Sequence, residues 1–342
     1  MNIKSKHITK KRIILAVCVV LIIALTWIVV ANFVLAADLG QFTDSIFEGV
    51  DLPTNDRYAN GFSINEICWE LAYWSAMMAE FTYAKSLYPD YNYAMDILGF
   101  NSVRVHTYFE HDSEYYSDLM ADIGKKDVHT DSGSFTLVAI AFRGTVPSAI
   151  DSRATRTNMR RNIDIFSQQW GETNGRVHRG FYAQYKEISD YIFPVINDAL
   201  SLFYENNIKF WFTGHSMGGV FAELLTADLI ERGVCPQRIL TFSFASPLVG
   251  CRQMLEYSQE IGAATRIFRI IHRRDMIAYF GFGLMWGRSL ACCDNIITFG
   301  NRGLINRSSH GLPLVYLPFI IEQNSPELRE QMKNAYYVAR LR

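Results

Sequence analysis

The 342-residue chain has almost no net charge, with 33 basic residues against 34 acidic ones. Five of the basic residues, Lys4, Lys6, Lys10, Lys11 and Arg12, precede the first acid, so the remainder carries 28 basic and 34 acidic residues. That balance gives no reason to invoke nucleic acid. Cysteine is also scarce. Of six, Cys18 lies in an apolar run, which leaves Cys68, Cys235, Cys251, Cys292 and Cys293. Five is an odd number, and the adjacent Cys292 and Cys293 do not make a zinc pattern. A domain of this size does not depend on disulfides, and no pairing is assigned. There is no internal repeat and no low-complexity segment. What is abundant is apolar surface: 49% of the residues are hydrophobic and 14% aromatic. A chain of this length can bury one large core or two modest ones.

Residues 13–31 carry no charge. At about 1.5 Å each they reach roughly 28 Å, enough for the hydrocarbon core of a bilayer. The basic flank on the amino side predicts that the N-terminus stays cytoplasmic and the rest crosses. Two readings compete. An uncleaved anchor leaves the domain tethered outside, whereas a signal peptide is cut near Ala36 and releases it. The length of the apolar run favours the anchor. The expected organisation is a basic cytoplasmic tail (1–12), a transmembrane signal-anchor or signal peptide (13–37), a polar stalk (38–62) and one catalytic domain (63–342).

Within that domain the most informative stretch is Ile208 to Thr226. Ile208 to Phe212 is an apolar run that reads as a buried strand. Gly214-His215-Ser216-Met217-Gly218 turns sharply, and a helix follows from about Val220. This is G-x-S-x-G in strand–turn–helix context, the setting of a nucleophile elbow. Gly214 and Gly218 remove side chains that would crowd the turn. Ser216 at a helix N-terminus sits where N–H groups and the helix dipole favour developing negative charge.

Around this stretch, strands alternate with helices. Ser63 to Ala84 predicts a helix, with Ser63 and Glu66 in a capping box, and its aromatics Trp69, Tyr73, Trp74, Phe81 and Tyr83 read as packing. Tyr91 to Leu98 reads as a second helix stopped by Gly99, Val103 to Phe109 as a strand, and Ser113 to Gly133 as an acidic hairpin or loop. Phe135 to Phe142 is a continuous apolar run and so a central strand, ending in Arg143-Gly144-Thr145. A helix is expected from about Phe181 to Tyr204. Further strands are expected at Arg238 to Ala245, Thr265 to Ile271 and Ile296 to Phe299, with a helix at Gln253 to Ile261 and two more after His310. The alternation implies an α/β class, with a mostly parallel sheet covered by helices on both faces.

An activated serine needs a base to take its proton and an acid to orient that base. Ser216 and Asp275 each follow a strand end, and the C-terminal ends of parallel strands share one rim. His310 lies downstream in Ser308-Ser309-His310-Gly311. The order Ser216, Asp275, His310 is the order of α/β-hydrolases. Asp275 also reads as a plain surface acid beside Arg273 and Arg274, with Asp294 the next candidate, and His310 also reads as an ordinary loop histidine. An oxyanion hole draws one donor from the residue after the nucleophile, here the Met217 N–H. The second donor comes from an earlier strand end, for which Thr145 is well placed.

Phe142-Arg143-Gly144-Thr145, Val177-His178-Arg179-Gly180-Phe181, Gly214-His215-Ser216-Met217-Gly218-Gly219, Phe244-Ala245-Ser246-Pro247-Leu248-Val249-Gly250 and Asp275 occur in that order. Together they resemble the class 3, fungal-type lipases, over roughly Val103 to Leu317. The resemblance implies an α/β-hydrolase fold and carboxylic-ester hydrolysis by Ser216, Asp275 and His310. It places the oxyanion hole at Thr145 and Met217, implies no metal or organic cofactor, and makes a lipid or other acyl ester the substrate. It also makes His178 and His215 structural.

One segment departs from the family. Ser148 to Arg161, where a lid helix is usual, holds Arg153, Arg156, Arg160 and Arg161 and few apolar residues. It reads as a polar lid, as a loop over anionic headgroups, or as no lid. Two other functions fit the same scaffold: an acyl esterase on decorated polysaccharide, and a non-catalytic anchored binding module.

Overall fold

A computed structural model describes residues 53–54, 57–58, 62, 66–83, 92–111, 114–131, 133–145, 164, 166–201, 207–279, 293–306 and 308–340. The expected anchor at 13–37, the Arg153–Arg161 cluster and Cys292 lie outside the described residues. No helix among the described residues is long and apolar enough to cross a membrane. Cys68, Cys235 and Cys251 are free thiols.

In chain order the elements begin with α1 (Trp69–Phe81), α2 (Tyr93–Ile97), β1 (Asn101–His111), β2 (Glu114–Thr130) and β3 (Gly133–Phe142). A two-stranded ribbon of β4 (Ser167–Gln169) and β5 (Arg176–His178) leads into α3 (Arg179–Ser201). Then come β6 (Ile208–His215), α4 (Met217–Glu231), β7 (Ile239–Phe244), α5 (Arg252–Glu260), β8 (Ile267–His272) and β9 (Asn295–Phe299). The described chain closes with α6 (Leu317–Glu322) and α7 (Pro326–Arg340).

The seven strands of the main sheet lie in the order β1-β2-β3-β6-β7-β8-β9. β1, β2 and β3 pair antiparallel, and β3 onward is parallel. The sheet is buried on both faces, which is why its central strands are unbroken apolar runs rather than alternating ones. Along β3, Leu137, Ala139 and Ala141 face the core under α1, α6 and α7, while Val138, Ile140 and Phe142 face the core under α3 and α4. Phe210 and Phe212 on β6 add to the second face and Trp211 to the first. Each of the larger of these side chains, Leu, Ile, Val or Phe, stabilises the fold by about 1.5–3 kcal/mol on burial. α4 is apolar on nearly every side and almost wholly buried, as a helix inside a core must be.

Several boundaries differ from the expectations. Ser113 to Gly133 is not a loop: β2 spans Glu114–Thr130 and pairs with β1 on one side and β3 on the other. Its acids and Gly124 lower strand propensity, but two ladders of hydrogen bonds and the inward Leu119, Ala121 and Ile123 outweigh that local preference. The first helix starts at Trp69, with Cys68 at its N-cap and no side-chain cap bond. The expected capping Ser63 lies outside the described residues, and Glu66 stands in a bend before the helix. The segment holding His310 is a short 3-10 turn, Ser308–His310, rather than an open loop.

Candidate active site

The elbow owes its shape to contact between three backbones. A Cβ on Gly214 would lie 2.2 Å from the Gly218 carbonyl carbon, and one on Gly218 would lie 2.3 Å from the Phe142 carbonyl oxygen. Those separations are too short for any side chain, so β6 can turn into α4 beside β3 only with glycine at both places. Between them Ser216 takes φ 58 and ψ −126, and its N–H donates to the Phe244 carbonyl at 2.9 Å. A serine at positive φ costs about 1–3 kcal/mol and persists only where the surroundings over-determine it. Here the β7 strand end and the first turn of α4 do so.

Asp275 is fully buried, two residues past the β8 strand-end pair of Arg273 with the Phe299 carbonyl. Its Oδ1 accepts the main-chain N–H groups of Ile277 (2.9 Å) and Ala278 (3.3 Å). Its Oδ2 accepts the Tyr316 hydroxyl at 2.6 Å and lies 2.9 Å from His310 Nδ1. Burial opposes the charge on Asp275, but His310, Tyr316 and the Ala278 N–H outweigh it and hold the carboxyl below the usual range. The acid is therefore ionised and accepts only, so His310 Nδ1 carries the hydrogen of this bond. His310 itself is buried, at the end of the 3-10 turn.

Thr145 follows β3 on the same rim, and its hydroxyl lies 3.7 Å from the Met217 sulfur, so the two residues expected at the oxyanion hole are neighbours. Asp294 directly precedes β9, at the opposite end of the parallel strands from Ser216, and accepts from Gln259 Nε2 at 2.7 Å. It is not part of the site. His178 stacks on Phe181 with ring centroids 4.1 Å apart, and its Nδ1 accepts the Phe181 N–H. His272 Nδ1 accepts the Arg274 N–H at 3.2 Å, and its ring packs on Phe299.

Four residues around the site carry no local signal in the sequence. Tyr83, read as packing, places its hydroxyl 3.2 Å from His215 Nδ1 and beside Gly144, where a Cβ would meet it at 2.1 Å. Tyr316 bonds the acid from a π-helical turn, Leu312–Tyr316, that no periodicity announces. Arg269 and Glu223 form a wholly buried ion pair at 3.1 Å. Arg269 also donates to the carbonyls of Ala278 (2.9 Å) and Ser246, which ties the loop after Asp275 to the loop after β7. No local signal distinguishes Arg269 from a solvated strand residue, because its partners come from three other segments.

The strand order, the elbow and the buried carboxylate–imidazole pair define the class of the domain: an α/β-hydrolase fold with an exposed-type serine turn. Residues 139–283 match the family model described as Lipase (class 3). Over that stretch the chain is similar to the class 3, fungal-type lipases. It is 26% identical over 174 residues to a lipase of Rhizopus oryzae, covering 49% of this chain and 41% of that protein. It is 23% identical over 256 residues to a lipase of Rhizomucor miehei, covering 72% and 64%. A chloroplastic phospholipase A1 of Arabidopsis thaliana is 34% identical over 92 residues, 26% of this chain and 14% of that protein. Among solved structures, the Rhizomucor miehei lipase propeptide complex aligns with a TM-score of 0.46 at 19% identity, covering 63% of each chain. The chain spans less than half the length of the Rhizopus lipases it matches.

Proposed function

We propose that the protein is a serine hydrolase that cleaves carboxylic esters, with lipid acyl esters as its substrate class. Ser216 is the nucleophile, His310 the general base and Asp275 the group that orients and charges the base. The observation that carries this reading is the buried Asp275–His310 contact at 2.9 Å, with the His310 carbonyl tied to His215, the residue before a serine held at φ 58. A carboxylate with this many donors is of little use to packing alone, since a buried charge costs several kcal/mol unless it is paired. Relatives named as lipases and a phospholipase A1 support the lipid class over polysaccharide-linked esters.

In the proposed reaction His310 Nε2 takes the Ser216 proton as Oγ attacks the ester carbonyl. The Met217 N–H and Thr145 receive the oxyanion. The base then returns the proton to the leaving alcohol, and a water repeats the sequence to release the acid. A neutral imidazole with its hydrogen on Nδ1 is the form this needs. Residues 13–37 form a signal-anchor or signal peptide in this reading and put the domain on the extracytoplasmic side, tethered or released near Ala36.

The test is labelling with a fluorophosphonate. Ser216 should be the single labelled residue, and Ser216→Ala should fold normally while losing at least about three orders of magnitude in kcat on p-nitrophenyl esters. Labelling that persists in the alanine variant sinks the assignment.

A further inference from the structure

We propose that Asn306 is a positioning residue that sets the catalytic base against the acid, an inference that rests on the triad proposed above. Asp275 and His310 are separated by 35 residues in sequence, and what holds them in register is not the sheet, because β9 ends at Phe299. Asn306 is bonded to the chain neighbours of both. Its main chain forms a parallel bridge with Asp275. The Asn306 N–H donates to the Arg274 carbonyl at 2.7 Å, and the Asn306 carbonyl accepts the Met276 N–H at 3.1 Å. The acid is thus flanked on either side by hydrogen bonds to a single residue.

The side chain of the same residue holds the base. Asn306 Oδ1 accepts the Ser308 hydroxyl at 2.8 Å, the Ser309 N–H at 3.0 Å and the Ser309 hydroxyl at 2.9 Å. An Asn carbonyl that accepts an N–H two or three residues on starts a turn and satisfies the free donors at its head. The turn started here is Ser308–His310, and His310 is its last residue. At the far end, the His310 carbonyl accepts from His215 Nε2 at 2.8 Å, which ties the turn to the residue before the nucleophile. The base therefore hangs between two anchors: Asn306 on the acid side and His215 on the nucleophile side. Releasing the first leaves the His215 anchor and the Asp275–His310 bond to set the ring without the turn held from the acid side. A displacement of about 1 Å in a reacting group costs up to about 10²-fold in rate.

Two properties make the role distinguishable from plain support of the fold. Asn306 is half-buried, and its bridge to Asp275 uses main-chain atoms that any residue retains. The side-chain oxygen takes three donors with two lone pairs, so a carboxylate of the same shape should serve at least as well.

The experiment compares Asn306→Ala, Asn306→Asp and the double variant Ser308→Ala/Ser309→Ala on p-nitrophenyl butyrate, with thermal unfolding of each. Asn306→Ala should lower kcat by about 10- to 100-fold with KM nearly unchanged, and should slow fluorophosphonate labelling of Ser216 by the same factor. Asn306→Asp should keep kcat within about three-fold of the parent. The double variant, which removes two of the three donors without touching the bridge, should fall between them. Equal kcat in Asn306→Ala and the parent, or an Asp variant as impaired as the Ala variant, would overturn the proposal. If Asn306→Ala does not fold, the double variant decides alone, and an unchanged kcat there overturns it. Failure of the triad reading looks different, because the parent itself then loses no labelling on Ser216→Ala.

Discussion

His215 Nε2 donates to the main-chain carbonyl of His310 across 2.8 Å, so the residue beside Ser216 holds the backbone of the proposed base. A carbonyl only accepts, which puts the His215 hydrogen on Nε2 and leaves Nδ1 to accept the Tyr83 hydroxyl at 3.2 Å. The ring works only as a neutral bridge. Burial first, and then the neighbouring His310, hold its pKa down to about 3.

This yields a pH dependence with a definite sign. Between the ordinary histidine value of 6.5 and about 3, the unfolded chain binds a proton at His215 and the folded chain does not. The stability this group contributes is therefore complete above about 6.5 and is lost as pH falls towards 3, by up to about 1.4 kcal/mol per pH unit. Urea unfolding at several pH values should show the slope, and His215→Asn should reduce it by one proton. An unchanged slope in the variant means another group is responsible.

Glu80 should act in the opposite direction. Burial raises its carboxyl from 4.5 to about 8. The folded state keeps a proton there that the unfolded state releases, so its contribution is present below about 4.5 and lost as pH rises through 8. Glu80→Gln should flatten stability between pH 5 and 8, and the variant should gain on the parent steadily over that range. A constant difference between the two proteins at all pH values would show that Glu80 does not titrate in this window.

The two histidines nearest Asp275 should differ sharply in effect. His310 Nδ1 contacts the carboxylate, whereas His272 Nδ1 is taken by the Arg274 N–H and its ring by Phe299 and Gly300. His310→Ala should cost about 10³-fold or more in kcat. His272→Ala should cost little in kcat and show mainly in thermal stability. The reverse ranking, with both variants folded, removes His310 from the triad.

Thr145→Val tests the oxyanion hole. Its hydroxyl stands beside Met217, whose N–H is the other expected donor. A donor that acts on charge developing in the transition state lowers kcat when removed and leaves KM nearly alone, here by about 10²–10³-fold. A change confined to KM would assign Thr145 to substrate binding instead.

What the sequence determined by itself is local. The run Ile208 to Phe212 had to be a strand buried on both faces, and Gly214 and Gly218 had to flank Ser216, because any Cβ there collides with backbone. A mostly parallel sheet also follows from strand–helix alternation, and parallel strands put the segments holding Thr145, Ser216 and Asp275 on one rim. Everything supplied from a distance depends on how the separate segments pack. Arg269 reads locally as a charge in a strand, yet Glu223 and two loop carbonyls make it a buried clamp. Tyr83 reads as one aromatic among several, yet its hydroxyl meets the elbow 132 residues on. β2 was hidden because its acids and glycine oppose a strand that only two flanking ladders can hold. The histidine was nameable from chain order, but its place was not. That place depends on Asn306 and His215, whose hydrogen bonds exist only once separate segments have come together.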